Sequence, residues 1–216
     1  HWRRLAQGAQ RLAIDLPDED TIHRAAVSLA EAQPVVLKII LTRGESGRGY
    51  VPGDGPATCI VSAHPKPPTL PQPLSLHWCN IWASDQPALA GIKHLNRLEQ
   101  VMACSEWDDP SIAEGLMASL DGRLVCATAA NFFVVRGGGL ATPDIRDCGV
   151  AGVMRGVVLA AARELSITTE ICDLDVGDLT EADEVFLTNA ITGVRPVGEV
   201  AGIRRYAAPG EVTRAL

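Results

Sequence analysis

Gly91-Ile92-Lys93-His94-Leu95-Asn96-Arg97-Leu98-Glu99-Gln100 is the most telling run in this chain. Leu95, Leu98, Val101 and Met102 recur at helical spacing, which predicts an amphipathic helix directly after Lys93 with that face buried. Lys93 stands just ahead of the apolar face, where its long side chain can reach a pocket. A lysine partly withdrawn from water has a lowered pKa, and its neutral amine can attack a carbonyl to make a Schiff base. The competing reading is a solvated charge opening a helix, and spacing alone does not separate the two.

Upstream of this run, Leu74, Leu76 and Trp78 alternate with polar residues as in a half-buried strand. Before it lies the proline-rich Pro65 to Pro73, too poor in backbone donors for sheet or helix. That composition shift places a domain boundary at about residue 73, with residues 1–73 as a small N-terminal domain with its linker and 74–216 as a larger C-terminal one. In the first part, residues 2–14 read as a helix with Trp2, Leu5, Ala9 and Leu12 on one face. A second helix is expected from near Asp18 to about Gln33, and strands at Val35–Thr42 and Ala57–Ala63. Between those strands runs Arg43-Gly44-Glu45-Ser46-Gly47-Arg48-Gly49-Tyr50, which lacks the G-K-[ST] of a P-loop. It is either a plain connection or a loop whose Arg48 and Tyr50 meet a substrate.

Downstream, Glu114–Leu120, the Asp121-Gly122 turn and Arg123–Ala127 predict a β-hairpin. Phe132–Arg136 is a strand, and Cys148-Gly149-Val150-Ala151-Gly152-Val153-Met154-Arg155 leads into a helix reaching about Leu165. Glycines just ahead of a helix let its free amides approach an anion, although such a joint can be merely structural. Strands are also expected at Thr168–Asp173 and Glu184–Thr188.

The chain has 216 residues, 47% hydrophobic and 21% charged, enough for a real core. A net charge of −7 without a basic cluster argues against nucleic acid or an anionic membrane as a general partner. No run approaches the ~20 apolar residues of a membrane span. The six cysteines show no metal-ligand spacing and read as buried free thiols of a reducing, cytoplasmic compartment; no metal site is expected.

The run GIKHLNRLEQV resembles the lysine motif of the bacterial 4-amino-4-deoxychorismate lyases. These are pyridoxal 5'-phosphate enzymes of fold type IV, a group that also holds the branched-chain and D-amino-acid aminotransferases. The likeness extends from His1 to about Tyr206. It implies a two-domain α+β, mixed α/β fold like that of D-amino-acid aminotransferase, with a small N-terminal α/β domain and a larger C-terminal domain built on a barrel-like sheet. It implies Lys93 as the catalytic, cofactor-bound amine. It also implies Arg4, in His1-Trp2-Arg3-Arg4-Leu5, as a ligand of the cofactor phosphate, a task that suits a planar guanidinium. The backbone at Val153 and Met154, and at Ala190 and Ile191 in the Asn189–Val197 loop, would complete the phosphate site. Arg97 and Asn131 would order the lysine or the ring. Arg48 and Tyr50 would meet a small dicarboxylate substrate. A homodimer is implied, as is an earlier segment of strands and a turn that family members carry ahead of the position of His1.

One position departs from the pattern. Family members usually have a glutamate where this chain has Cys126, and that carboxylate keeps the pyridine nitrogen protonated. A thiol is a weak donor and acceptor with a much higher ordinary pKa. The departure counts against an aminotransferase, which leans on the protonated ring, more than against a lyase whose product is aromatic. It also keeps open a degenerate, non-catalytic relative.

Overall fold

The computed structural model describes residues 1–30 and 34–216 of the protein, in two compact units, His1–Pro68 and Thr69–Leu216. In the first, α1 (Trp2–Arg11) and α2 (Glu19–Ala30) precede β1 (Val35–Thr42) and β2 (Thr58–Pro65). The end of the second helix expected near Gln33 falls outside the described residues. Asp18 starts α2 by accepting from the Thr21 amide and hydroxyl, both at 2.9 Å, which satisfies a helix-end donor. β1 and β2 form an antiparallel ribbon running from Val35 opposite Pro65 to Thr42 opposite Thr58. Arg43 closes the end of α1, donating to the carbonyls of Leu12 and Ala13.

The second unit opens with β3 (Leu74–Trp78), followed by α3 (Leu98–Cys104), β4 (Ile112–Ala118), β5 (Leu124–Ala127), β6 (Asn131–Arg136), β7 (Gly139–Pro143) and α4 (Val153–Glu164). It continues through β8 (Thr169–Cys172), α5 (Val176–Glu181), β9 (Glu184–Asn189), β10 (Gly193–Val200), β11 (Arg204–Arg205) and α6 (Glu211–Ala215). One curled, half-barrel sheet runs β5-β4-β3-β10-β9-β6-β7-β8, with β11 paired to β10. β3 lies parallel to both β4 and β10, and β7 parallel to β8; the remaining pairs are antiparallel. The expected mixed α/β architecture with a barrel-like sheet is therefore present.

Alternation along the strands sends side chains to two faces. Leu74, Leu76, Leu116, Phe132, Val134 and Leu187 fill one core. On the other face Phe133 and Phe186 stack with centroids 5.0 Å apart, under Val158 and Ala162 of α4. Each of these fully buried phenylalanines contributes about 1.5–3 kcal/mol relative to exposure. A third cluster joins Cys79, Ala103, Met117 and Val125, and packs the Cys79–Trp107 connection onto β4 and β5.

Four expectations need correction. The helix after Lys93 does not start at once: Ile92–Arg97 is irregular and α3 begins at Leu98. The face predicted to be buried is exposed, with Leu95 at 62%, Leu98 at 71%, Val101 at 60% and Met102 at 50%, while α3 packs inward through Ala103 at 0%. Periodicity found a face but not what covers it. The cysteines are not uniformly buried: Cys79 and Cys148 are, Cys104 is exposed, and the other three are intermediate. Finally, Asn189–Val197 is not all loop, because from Gly193 onward it is strand β10.

Candidate active site

Lys93 sits on a short irregular segment held at both ends. Ahead of it, the Gly91 amide donates to Gly149 O and the Ala151 amide donates to Gly91 O, each at 3.0 Å, which forms a bridge between Gly91 and Val150. Gly91 has φ +79, a conformation that any side chain would strain. Behind it, Arg97 Nε donates to His94 O at 3.1 Å and Arg97 Nη2 to Ile92 O at 3.3 Å. Ile92 is turned inward at 6% exposure, which sends its neighbour Lys93 outward, and Lys93 is exposed. The burial expected of Lys93 is thus not found. Burial does act on His94, pulling its imidazole below the ordinary value, and the Arg97 charge adds to this against an opposing Glu99. His94 Nδ1 is buried without a hydrogen-bond partner among the described residues.

The Gly91 bridge ties this segment to the entry of α4. Gly152 is the N-cap, with no side-chain cap, and the first turn carries no acidic residue. The first-turn amides, including those of Val153 and Met154, therefore lack intrahelical acceptors and carry the positive end of the helix dipole. Asn131 Nδ2 donates to Val150 O at 2.9 Å, and a Cβ on Gly152 would stand 1.9 Å from Asn131 Oδ1. Opposite Asn131 in the ladder stands Thr188, 1% exposed, whose hydroxyl has no partner among the described residues. Buried Arg155 secures the helix start, donating through Nε to Thr142 Oγ1 at 3.3 Å and through Nη2 to Pro143 O at 2.9 Å.

At the next turn, Asn189 Oδ1 accepts from the Ile191 amide at 3.0 Å, the Thr192 amide at 2.9 Å and the Thr192 hydroxyl at 2.8 Å. One of the amides read from the sequence as phosphate donors, that of Ile191, is thus engaged within its own turn. Ala190 stands at the tip of that turn.

Cys126, on β5, is partly exposed as a residue, yet burial pushes its thiol up to about 12; the Arg97 guanidinium opposes this, while Glu114 and Glu99 add to it. At neutral pH it is a neutral S–H, a weak donor without charge. Burial lowers Arg97 from its ordinary value, with Cys126 and Glu99 opposing, so the two side chains sense each other. Beneath the turn leading to Asn131, Glu114 accepts from Thr128 Oγ1 and the Ala129 amide, both at 2.8 Å, and pairs with Arg195 at 2.8 Å.

Lys93, Arg97, Cys126, Asn131, Val153, Met154, Ala190 and Ile191 all lie in the second unit. Arg4, Arg48 and Tyr50 lie in the first. Arg4 is half-buried on α1, and burial lowers its guanidinium from the ordinary value. Arg48 and Tyr50 are exposed in the loop between β1 and β2. Gly91, Gly152 and Thr188 were not among the residues read from the sequence as site residues. The two glycines are visible there only as glycines flanking the motifs, and Thr188 as one more strand residue.

The donor set at α4 fits an anionic group such as the pyridoxal 5'-phosphate ester. It offers uncapped amides and a glycine whose side-chain space is already taken. Among the described residues no group of His, Cys, Asp or Glu could hold a metal ion, and no helix is long and apolar enough to cross a membrane.

Comparison with known proteins adds four findings. Residues 1–200 match the family model for amino-transferase class IV. The sequence is 33% identical over 211 residues to the aminodeoxychorismate lyase of Vibrio harveyi, covering 93% of this chain and 78% of that protein. The structure is similar to that of the 4-amino-4-deoxychorismate lyase of Pseudomonas aeruginosa, with TM-score 0.93 and 40% identity, covering 100% of this chain and 81% of that one. It is also similar to the PLP form of the branched-chain amino acid aminotransferase of Thermobaculum terrenum, with TM-score 0.83 and 26% identity, covering 99% of this chain and 73% of that one.

Proposed function

This chain belongs to the amino-transferase class IV family, the fold type IV pyridoxal-phosphate enzymes, and on that premise we propose that it is a lyase converting 4-amino-4-deoxychorismate to 4-aminobenzoate and pyruvate. The observation that carries this reading is the 40% identity to the P. aeruginosa lyase across the whole chain. The neutral thiol at Cys126 supports the same choice over transamination. A ring nitrogen facing S–H gains little charge, and a reaction that ends in an aromatic product needs that charge less.

Pyridoxal phosphate, when bound, supplies an aldehyde that captures an amine and a conjugated ring that accepts negative charge. The residues of this chain bind, aim and move protons around it. The Val153 and Met154 amides at the α4 start would hold the phosphate, and Arg4 is proposed as a further ligand. Lys93 would be the residue that holds the cofactor through its amine. The same amine, once free, would take the proton from the substrate carbon that bears nitrogen and give it to the departing enolpyruvyl group. Arg48 and Tyr50 meet the substrate carboxylates.

The enzyme works as a homodimer in this reading. Leu98, Val101 and Met102 present one apolar face of α3 to solvent beside exposed Leu95, and a second copy would cover it. Light scattering should give twice the chain mass, and Leu98→Glu should shift it toward one.

The test of the function is borohydride reduction with peptide mapping, run beside an assay of 4-aminobenzoate formation. A pyridoxyl group fixed at Lys93, with product formed, supports the reading. Fixation without product, with alanine instead converted to pyruvate, would assign an aminotransferase, and no fixation would leave a non-catalytic relative.

A further inference from the structure

Lys93 lies between two backbone carbonyls that a single guanidinium holds. Arg97 Nη2 takes Ile92 O on one side of the lysine and Arg97 Nε takes His94 O on the other, at 3.3 and 3.1 Å. The upstream end of the same segment is fixed independently, by the pairing of Gly91 with Gly149 and Ala151. Between these anchors the backbone is neither helix nor strand, so no regular ladder holds it. A planar fork with several donors can span two carbonyls, whereas an ammonium is a single point of charge. The guanidinium is itself half-buried, so its donors are turned to the chain more than to water.

We infer that Arg97 is a positioning residue for Lys93: it fixes the backbone on both sides of the reactive lysine and so sets where the amine points, and it does not bind the cofactor. This rests on the reading of Lys93 as the reactive amine. A displacement of about 1 Å in such a group costs on the order of a hundredfold in rate. Removing the clamp should therefore lower turnover and leave binding nearly intact.

The test uses Arg97→Met, which keeps the length of the side chain without its donors, and Arg97→Lys, which keeps only the charge. In cofactor-free protein, Arg97→Met should speed amide hydrogen exchange across residues 92–96 by about tenfold or more, with exchange in β6 and β9 unchanged. With cofactor saturating, its kcat for 4-aminobenzoate should fall roughly 10- to 100-fold while KM moves less than about threefold. Arg97→Lys should recover only part of either effect, and it carries the test if the methionine variant does not fold.

Unchanged exchange in 92–96 would overturn the inference. So would a variant whose kcat is normal once cofactor is saturating but whose cofactor affinity is weakened, since Arg97 would then be a cofactor ligand. If wild-type protein shows no borohydride-fixed group at Lys93, the reading of the lysine fails, and the exchange experiment still decides whether Arg97 fixes the segment.

Discussion

Asn131 occupies the space that a side chain on Gly152 would need: a Cβ there would stand 1.9 Å from Asn131 Oδ1, while Asn131 Nδ2 donates to Val150 O at 2.9 Å. One amide side chain thus joins strand β6 to the start of α4 and keeps the helix amides bare. Gly152→Ala should push the two apart. Overpacking of this kind costs about 1–3 kcal/mol, and loss of phosphate positioning should weaken pyridoxal-phosphate binding roughly tenfold or more. Asn131→Ala in the same chain removes the clash. Titration of cofactor into both variants should therefore show the double substitution binding better than Gly152→Ala alone.

The thiols give a second prediction. Burial pushes Cys79, Cys126 and Cys148 up to about 12, whereas Cys104 is exposed. At pH 8 only about one in ten thousand of a thiol with pKa near 12 is thiolate, the form that reacts. An aromatic disulfide reagent at pH 8 should label Cys104 in the folded protein and leave those three intact until denaturant is added, as peptide mapping will read out. Cys126→Ser, also neutral, should keep turnover within about threefold. Cys126→Glu supplies a carboxylate and should raise the side reaction with alanine on the order of tenfold, because the charged ring is the better electron sink.

A third concerns the support beneath the site. Glu114 and Arg195 are 8% and 5% exposed and 2.8 Å apart, and the other Glu114 oxygen holds the turn that leads to Asn131 through Thr128 and Ala129. Removing one member leaves a buried charge unpaired. Glu114→Gln should cost about 3–5 kcal/mol in urea unfolding, and Arg195→Met a similar amount. The double substitution Glu114→Gln with Arg195→Met should cost less than the two added together.

How far the sequence foretold this arrangement depends on the range of the interaction. The β4–β5 hairpin was legible because Asp121-Gly122 is a local signal, and β3 because Leu74, Leu76 and Trp78 alternate with polar residues, whereas β10 was read as loop. The lysine motif and the glycine entry to α4 were legible as separate motifs. Their joining was not, because the bond between Gly91 and residues 149–151 spans some sixty positions and leaves no periodic trace. The apolar spacing after Lys93 misled for a related reason. It marks Leu98, Val101 and Met102 as one face, but burial depends on what packs there, and α3 packs through Ala103 instead. Cys126 was legible as a departure. That its thiol stays neutral needed the surroundings that bury it.

The raised thiols also set an alkaline limit on stability. Each of Cys79, Cys126 and Cys148 holds its proton more firmly folded, near 12, than at the ordinary value of 9.0. Below pH 9 all three are protonated in both states and their contribution is full. As pH climbs, the unfolded chain loses protons that the folded chain keeps, so unfolding is favoured between about 9 and 12. The slope is at most about 1.4 kcal/mol per pH unit for each thiol. Tyr206, raised by burial from 10.0 to about 12, adds to the slope at the upper end. Urea midpoints measured under reducing conditions should therefore hold level from pH 7 to 8.5 and fall steadily above pH 9. Cys79→Ala and Cys148→Ala should each start from a lower midpoint and lose less with rising pH. A wild-type midpoint unchanged at pH 10.5 would mean that these thiols ionise in the folded protein as readily as in the unfolded chain.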